Sequence, residues 1–170
     1  GCMYFEKAGK QNTEKTLEIV KKTINDRGIK HVVVASSEGY TAKLFKEANL
    51  GINLVCVTHV AGFETPGEIE MPEEIRRELV QSGVKVLTTT HVLSGAERGI
   101  SRKFGGLYPV EIIANTLRVL GQGIKVCVEI AVMALDAGLI PYNEEVIAVG
   151  GTGEGADTAV IIKPARSEER

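Results

Sequence analysis

His31-Val32-Val33-Val34-Ala35-Ser36-Ser37-Glu38-Gly39-Tyr40-Thr41-Ala42 is the stretch that decides how this chain is read. It opens as a β-branched apolar run, the pattern of a parallel strand buried on both faces. It stops at two serines and a glycine, after which Ala42, Leu44, Phe45 and Ala48 recur with helical spacing. A strand that turns into a helix within a few small residues leaves several N–H groups without intrahelical partners. Small side chains let an anion approach those groups, and the helix dipole favours negative charge there. Ser36, Ser37 and Thr41 add hydroxyl donors. The stretch fits a phosphate-binding turn and also fits a plain tight connection.

Working outward, Met3-Tyr4-Phe5 reads as a short strand, and Asn12 as the N-cap of a helix over Thr13 to Arg27. Leu17, Val20 and Ile24 form that helix's apolar stripe, Glu18 and Lys22 can pair, and Gly28 stops it. Asn53 to Val57 is the next buried strand, followed by Thr58-His59-Val60. Pro72, Glu73 and Glu74 open a helix that Gly83 ends. Val84 to Thr88 is a third strand, followed by Thr90-His91-Val92. Pro109 then opens a helix carrying Val110, Ile113, Ala114 and Leu117 on one face, and Gly121-Gln122-Gly123 breaks it. A nearly all-apolar helix follows over Ile124 to Ala137. Glu144 to Val149 and Thr158 to Ile162 flank the glycine-rich Gly150–Ala156 turn, so they should form an antiparallel hairpin. Strands alternating with helices and then a hairpin predict an α/β fold, with a doubly wound, mostly parallel sheet and an antiparallel terminal strand. A length of 170 residues without linker or repeat predicts a single α/β domain over 1–170.

Composition narrows the function classes. The net charge of -2 offers no electrostatic case for nucleic acid. No apolar run reaches membrane-spanning length and no signal peptide is visible, so the expectation is a cytoplasmic protein. Three cysteines, one in a strand (Cys56) and one in an apolar helix (Cys127), fit reduced thiols rather than a disulfide framework.

In doubly wound sheets ligands bind outside the carboxyl ends of the strands. That rule gathers Ser36, Ser37, His59, His91 and Gly150 to Thr152, Gly151 among them, on one rim and sets His31 at the opposite end. His59 and His91 either contact a ligand or cap their strands. No third ligand stands at metal spacing beside them, so no metal site is expected. Arg98, Arg102 and Lys103 either bind phosphate or form a solvated basic face. Lys125, Glu129 and Asp136 fall on one narrow helical stripe, which reads as solvent-facing or as an interface rather than as a buried catalytic carboxylate. The helix carrying them is apolar nearly all round, which predicts a homo-oligomer. No nucleophile–base pair and no Walker-type loop appears, and Gly150 to Gly155 lies between strands, so the dinucleotide fingerprint does not apply.

Two stretches carry a family likeness. Ser37-Glu38-Gly39-Tyr40-Thr41-Ala42 after its strand resembles the strand-to-helix turn of the pyruvate kinase C-terminal domain. Glu145 to Gly150 through Ala156 to Val160 resembles that domain's closing hairpin. In that family the two segments face each other and hold a phosphorylated sugar effector. Glu38 departs from the family's Ser-Gly pairing. Arg98-Gly99-Ile100-Ser101, Phe104-Gly105-Gly106, Pro109 to Ile112 and Gln122 to Ala131 are similar to a group of stand-alone archaeal proteins that have this fold without the catalytic barrel. That resemblance implies flavin mononucleotide (FMN) as cofactor and no pyruvate kinase activity, because the family's catalysis resides in the barrel. Ser36, Ser37, Gly39 and Thr41 would then hold the phosphate. His59, His91, Gly151, Thr152 and the segment with Arg98, Gly99, Ile100, Arg102 and Phe104 would enclose the rest. Whether the chain is an enzyme stays open: a flavin-dependent oxidoreductase with His59 or His91 as proton donor, or a ligand-responsive regulatory module, are the alternatives.

Overall fold

The three valines of the opening run are fully shielded from solvent, as a strand covered on both faces requires. The computed structural model describes residues 2–59, 71–89, 110–116, 121–151 and 155–164, of which 2–9, 59, 89 and 122 are described by backbone alone. In chain order the elements are α1 (Cys2–Arg27), β1 (His31–Ala35), α2 (Tyr40–Glu47), β2 (Asn53–His59), α3 (Glu73–Gln81) and β3 (Lys85–Thr89). β4 (Val110–Asn115), α4 (Gly121–Asp136), β5 (Val146–Gly150) and β6 (Thr158–Ile162) complete them. The six strands form one sheet in the order β3-β2-β1-β5-β6-β4. β3, β2, β1 and β5 are parallel, and β6 runs antiparallel to both β5 and β4.

Two cores follow from the period-2 alternation of strand side chains. On one face Val32, Val34, Cys56, Ile147 and Val149 pack under Leu17, Val20 and Ile24 of α1, Phe45 of α2 and Leu79 of α3. On the other, Val33, Val55, Val57, Ala148 and Val160 pack under Val126, Cys127, Ile130 and Ala134 of α4. Each such burial stabilises by about 1.5–3 kcal/mol before chain entropy is set against it. Helices on both faces explain why the central strands read as continuous apolar runs instead of alternating ones.

Several sequence expectations are corrected. Met3-Tyr4-Phe5 is no strand but the first turns of α1. Asn12 lies inside that helix, where its carbonyl accepts the Thr16 hydroxyl at 2.8 Å, so it caps nothing. Glu18 pairs with Lys21 at 3.7 Å rather than with Lys22. The expected helix after Pro109 is β4, an edge strand whose Val110 and Ile112 stay exposed. Its β-branched and apolar residues at mixed spacing satisfy a helical template. Pairing with β6, across a bulge between Ile112 and Ala114, decides for strand. The antiparallel strand is therefore interior to the sheet and β4 is the edge. Gly121 and Gly123 do not break a helix; they lie inside the first turn of α4.

Glu129 is also corrected: it is 2% exposed, whereas Lys125 and Asp136 at the ends of the same stripe are exposed. Helical spacing says which residues share a stripe, not what lies over it. The hairpin of β5 and β6 is antiparallel as expected, and Cys56 and Cys127 are buried free thiols.

Candidate functional site

The parallel strands end together, so Ser36 and Ser37 after β1, His59 at the end of β2, and Gly151 after β5 occupy one rim. β1 and β5 are neighbours, but the chain leaves β1 towards β2 and leaves β5 towards β6. That divergence is the switch point at which doubly wound sheets open a crevice. A small cleft lies there, lined by Ala35, Ser36, Ser37, Glu38, Tyr40, Thr41 and Gly155.

The turn into α2 is built by bonds that can be traced one at a time. The Ser36 N–H donates to Val57 O at 3.1 Å, which extends the β1–β2 pairing by one residue. The Ser36 hydroxyl accepts the Ala42 N–H at 3.3 Å and so takes one of the helix's orphan donors. Ser37 O accepts the Thr58 hydroxyl at 3.5 Å. Gly39 has φ +101°, and a Cβ there would stand 2.5 Å from Ile75 Cγ2. The glycine is therefore demanded by backbone conformation and by α3 packing against it, not only by a ligand's approach. The first α2 hydrogen bond, Lys43 N–H to Gly39 O at 2.9 Å, leaves the N–H groups of Tyr40 and Thr41 ahead of the ladder. Thr41 lines the cleft although it is only 2% exposed.

The opposite wall is equally constrained. The Asp157 N–H donates to Gly150 O at 3.0 Å. A Cβ on Gly151 would lie 2.9 Å from Gly155 O and 3.2 Å from the Asp157 nitrogen. α1 holds this wall from outside: Thr13 Oγ1 accepts the Ala156 N–H at 2.8 Å, and the Thr16 hydroxyl, which donates to Asn12 O, lies 3.3 Å from Ala156 O as a second, longer acceptor. A side chain at Gly123 would collide with Thr158, so the start of α4 also presses on this corner. The Tyr40 phenol is pushed up from its ordinary value by burial and, to a smaller extent, by the nearby charge of Glu14. The two thiols are remote from nucleophilic chemistry: burial pushes Cys56 up to about 12, and Cys127 is raised for the same reason, with the Asp157 charge adding to it.

Of the residues singled out from sequence, Ser36, Ser37, Gly39, Thr41 and Gly151 come together at this corner. His59 contributes the last backbone unit of β2, and its side chain lies outside the description. His91, Arg98, Gly99, Ile100, Arg102, Phe104 and Thr152 lie outside the described residues. Sequence reasoning missed Ala35, Glu38, Tyr40 and Gly155 as lining. All four stand inside segments it had marked; what it lacked was which residues of those segments turn towards the cleft. Among the described residues, no group of three histidines, cysteines or carboxylates is placed to hold a metal ion.

The family model of the pyruvate kinase alpha/beta domain matches residues 14–162. The chain belongs to this family. Pyruvate kinase structures from Cryptosporidium parvum match 90% and 84% of this chain at 14% and 16% identity, with TM-scores of 0.47 and 0.45. The chain spans 22% and 21% of those enzymes' lengths. Membership rests on the family match, and the mostly parallel six-stranded sheet with its antiparallel strand agrees with it.

Proposed function

We propose that the chain is a small-molecule binding protein for a phosphate-bearing ligand, FMN, without pyruvate kinase activity. The observation that carries the phosphate is the cleft itself: it opens at the switch point, against the first N–H groups of α2, and Thr41 lines it. The helix is two turns long and its N-terminal charge is small, so the hydroxyls of Ser37 and Thr41 supply the directed bonds. Glu38 on the same wall opposes an anion; a carboxylate there suits a hydroxyl of the chain that carries the phosphate.

The choice of FMN rests on the likeness to stand-alone archaeal proteins of this fold. The ring would then extend towards the end of β2 and His59, with His91, Arg98, Gly99, Ile100, Arg102, Phe104 and Thr152 as its remaining candidate contacts. Bound flavin would supply redox chemistry; this chain's residues bind and orient it. The same reading takes the protein as a cytoplasmic homo-oligomer. Among the described residues no helix is long and apolar enough to cross a membrane.

The visible absorption spectrum of the purified protein, followed by titration of the ligand-free protein with FMN and riboflavin, tests this. Flavin bands on purification and a preference for FMN over riboflavin are expected. Equal affinity for both would remove the phosphate site, and no affinity for either would remove FMN. Hydrogen exchange across Gly150–Ala156 should slow on FMN addition if that turn closes over the ligand through Gly151 and Thr152.

A further inference from the structure

We propose that Lys10 is the cationic arm of this cleft and sets its preference for a doubly charged phosphate, an inference that rests on the phosphate reading above. Lys10 stands one helical turn ahead of Thr13, whose hydroxyl accepts the Ala156 N–H at 2.8 Å. That bond pins this part of α1 beside the turn that contributes Gly155 to the cleft wall. From there the Lys10 ammonium reaches over the ring of Tyr40, 5.7 Å from its centroid, and Tyr40 lines the same cleft. The α2 N-terminus is not alone in pointing to an anion. Thr41, 2% exposed and facing the cleft, makes no side-chain hydrogen bond among the described residues.

Among the described residues, the charges around Tyr40 single out Lys10. Glu38 lines the cleft, and Glu14 is close enough to Tyr40 to raise its phenol. Lys43, the nearest lysine on α2, is turned to Glu78 at 3.8 Å. With Lys10 in place the three groups Lys10, Glu14 and Glu38 sum to one negative charge, and without it to two. A phosphate monoester carries about -1.5 to -2 charges at pH 7, so the lysine halves the negative charge it meets from these three groups. An exposed ammonium over a phenol ring is held weakly, and its flexible stem lets it leave the ring for an incoming oxyanion. Lys10 is itself exposed, so its replacement leaves the cores of the fold untouched.

Inorganic phosphate is the probe. Amide spectra of isotope-labelled protein are followed through Ser36–Thr41 during a phosphate titration of the parent, Lys10→Gln and Lys10→Arg. The parent should shift those amides saturably, Lys10→Gln should bind about tenfold more weakly, and Lys10→Arg should stay within about threefold of the parent. Added salt should weaken phosphate binding more steeply in the parent than in Lys10→Gln. Parent-like affinity of Lys10→Gln at the same amides would overturn the role of Lys10 while leaving the phosphate site standing. Phosphate that shifts none of these amides in the parent would overturn both.

Discussion

The two rims of the sheet use polar side chains in opposite ways. At the amino ends of the parallel strands, His31 Nε2 lies 2.9 Å from Glu144 Oε2, and its Nδ1 lies 3.0 Å from the Asn53 amide nitrogen. That nitrogen also donates to Leu139 O at 3.0 Å. Because the amide can only donate, Nδ1 accepts. Beside them Arg27 spans Glu145 at 2.6 Å and Glu111 at 3.2 Å, and this pairing raises its guanidinium above its ordinary value. These bonds tie α1, β4 and the approach to β5 together. At the carboxyl ends the Ser36 hydroxyl is spent on α2, but Tyr40 and Thr41, at the start of α2, line a cleft. A polar side chain bonded to distant parts of its own chain is stitching; one turned into a crevice is available to a ligand.

The comparison breaks first at Gly39. Alanine there meets the positive-φ penalty of about 1–2 kcal/mol and overpacking against Ile75 of about 1–3 kcal/mol. Urea unfolding should show a loss of about 2–5 kcal/mol, and an unchanged midpoint would mean that the turn is not held as described. Thr41→Val comes next. It should leave stability nearly unchanged and weaken FMN by roughly tenfold to a hundredfold, for the loss of about 1.5–3 kcal/mol, while riboflavin affinity stays put. If both flavins bind as before, the carboxyl rim is stitching too.

Between the rims, the Cys56 thiol reports on the sheet alone. Its value is raised from 9.0 to about 12 in the fold, so the unfolded chain releases that proton first as pH climbs. The unfolded state then binds fewer protons, and stability falls between pH 9 and about 12, having been fully present below 9. At pH 10 the loss from this group is about 1 kcal/mol, measurable as a steeper fall of the urea midpoint in the parent than in Cys56→Ala. The smallest effect is expected at the amino rim. His31→Ala should cost about 1 kcal/mol of stability and leave FMN affinity unchanged, and a changed affinity would blur the division between the rims.

Much of this was legible beforehand because local chemistry and burial agreed. Three valines in β1, the small residues after it and the Ala42–Phe45 spacing carried the central strand, its turn and α2. Glycines between two apolar runs carried the β5–β6 hairpin. The misreadings occurred where one sequence satisfies two templates. Val110 to Asn115 is a helix face or an edge strand until β6 lies beside it. Cys2 to Gln11 joins α1 despite glycine and a good capping asparagine, because a cap signal only permits a helix to start.

By itself, then, the sequence determined the alternation of strands and helices, the rim on which Ser36, Thr41 and Gly151 would meet, and the family to which the chain belongs. Those follow from periodicity, turn chemistry and motif, which are properties of neighbouring residues. Only the tertiary structure decided that Gly39 is required by Ile75, that Glu129 is buried, and that α1 brings Lys10 to Tyr40. Each of these depends on what a distant element lays against the residue. Hydrophobic spacing tells a side chain which face of its own element it occupies; packing alone tells it what it will touch.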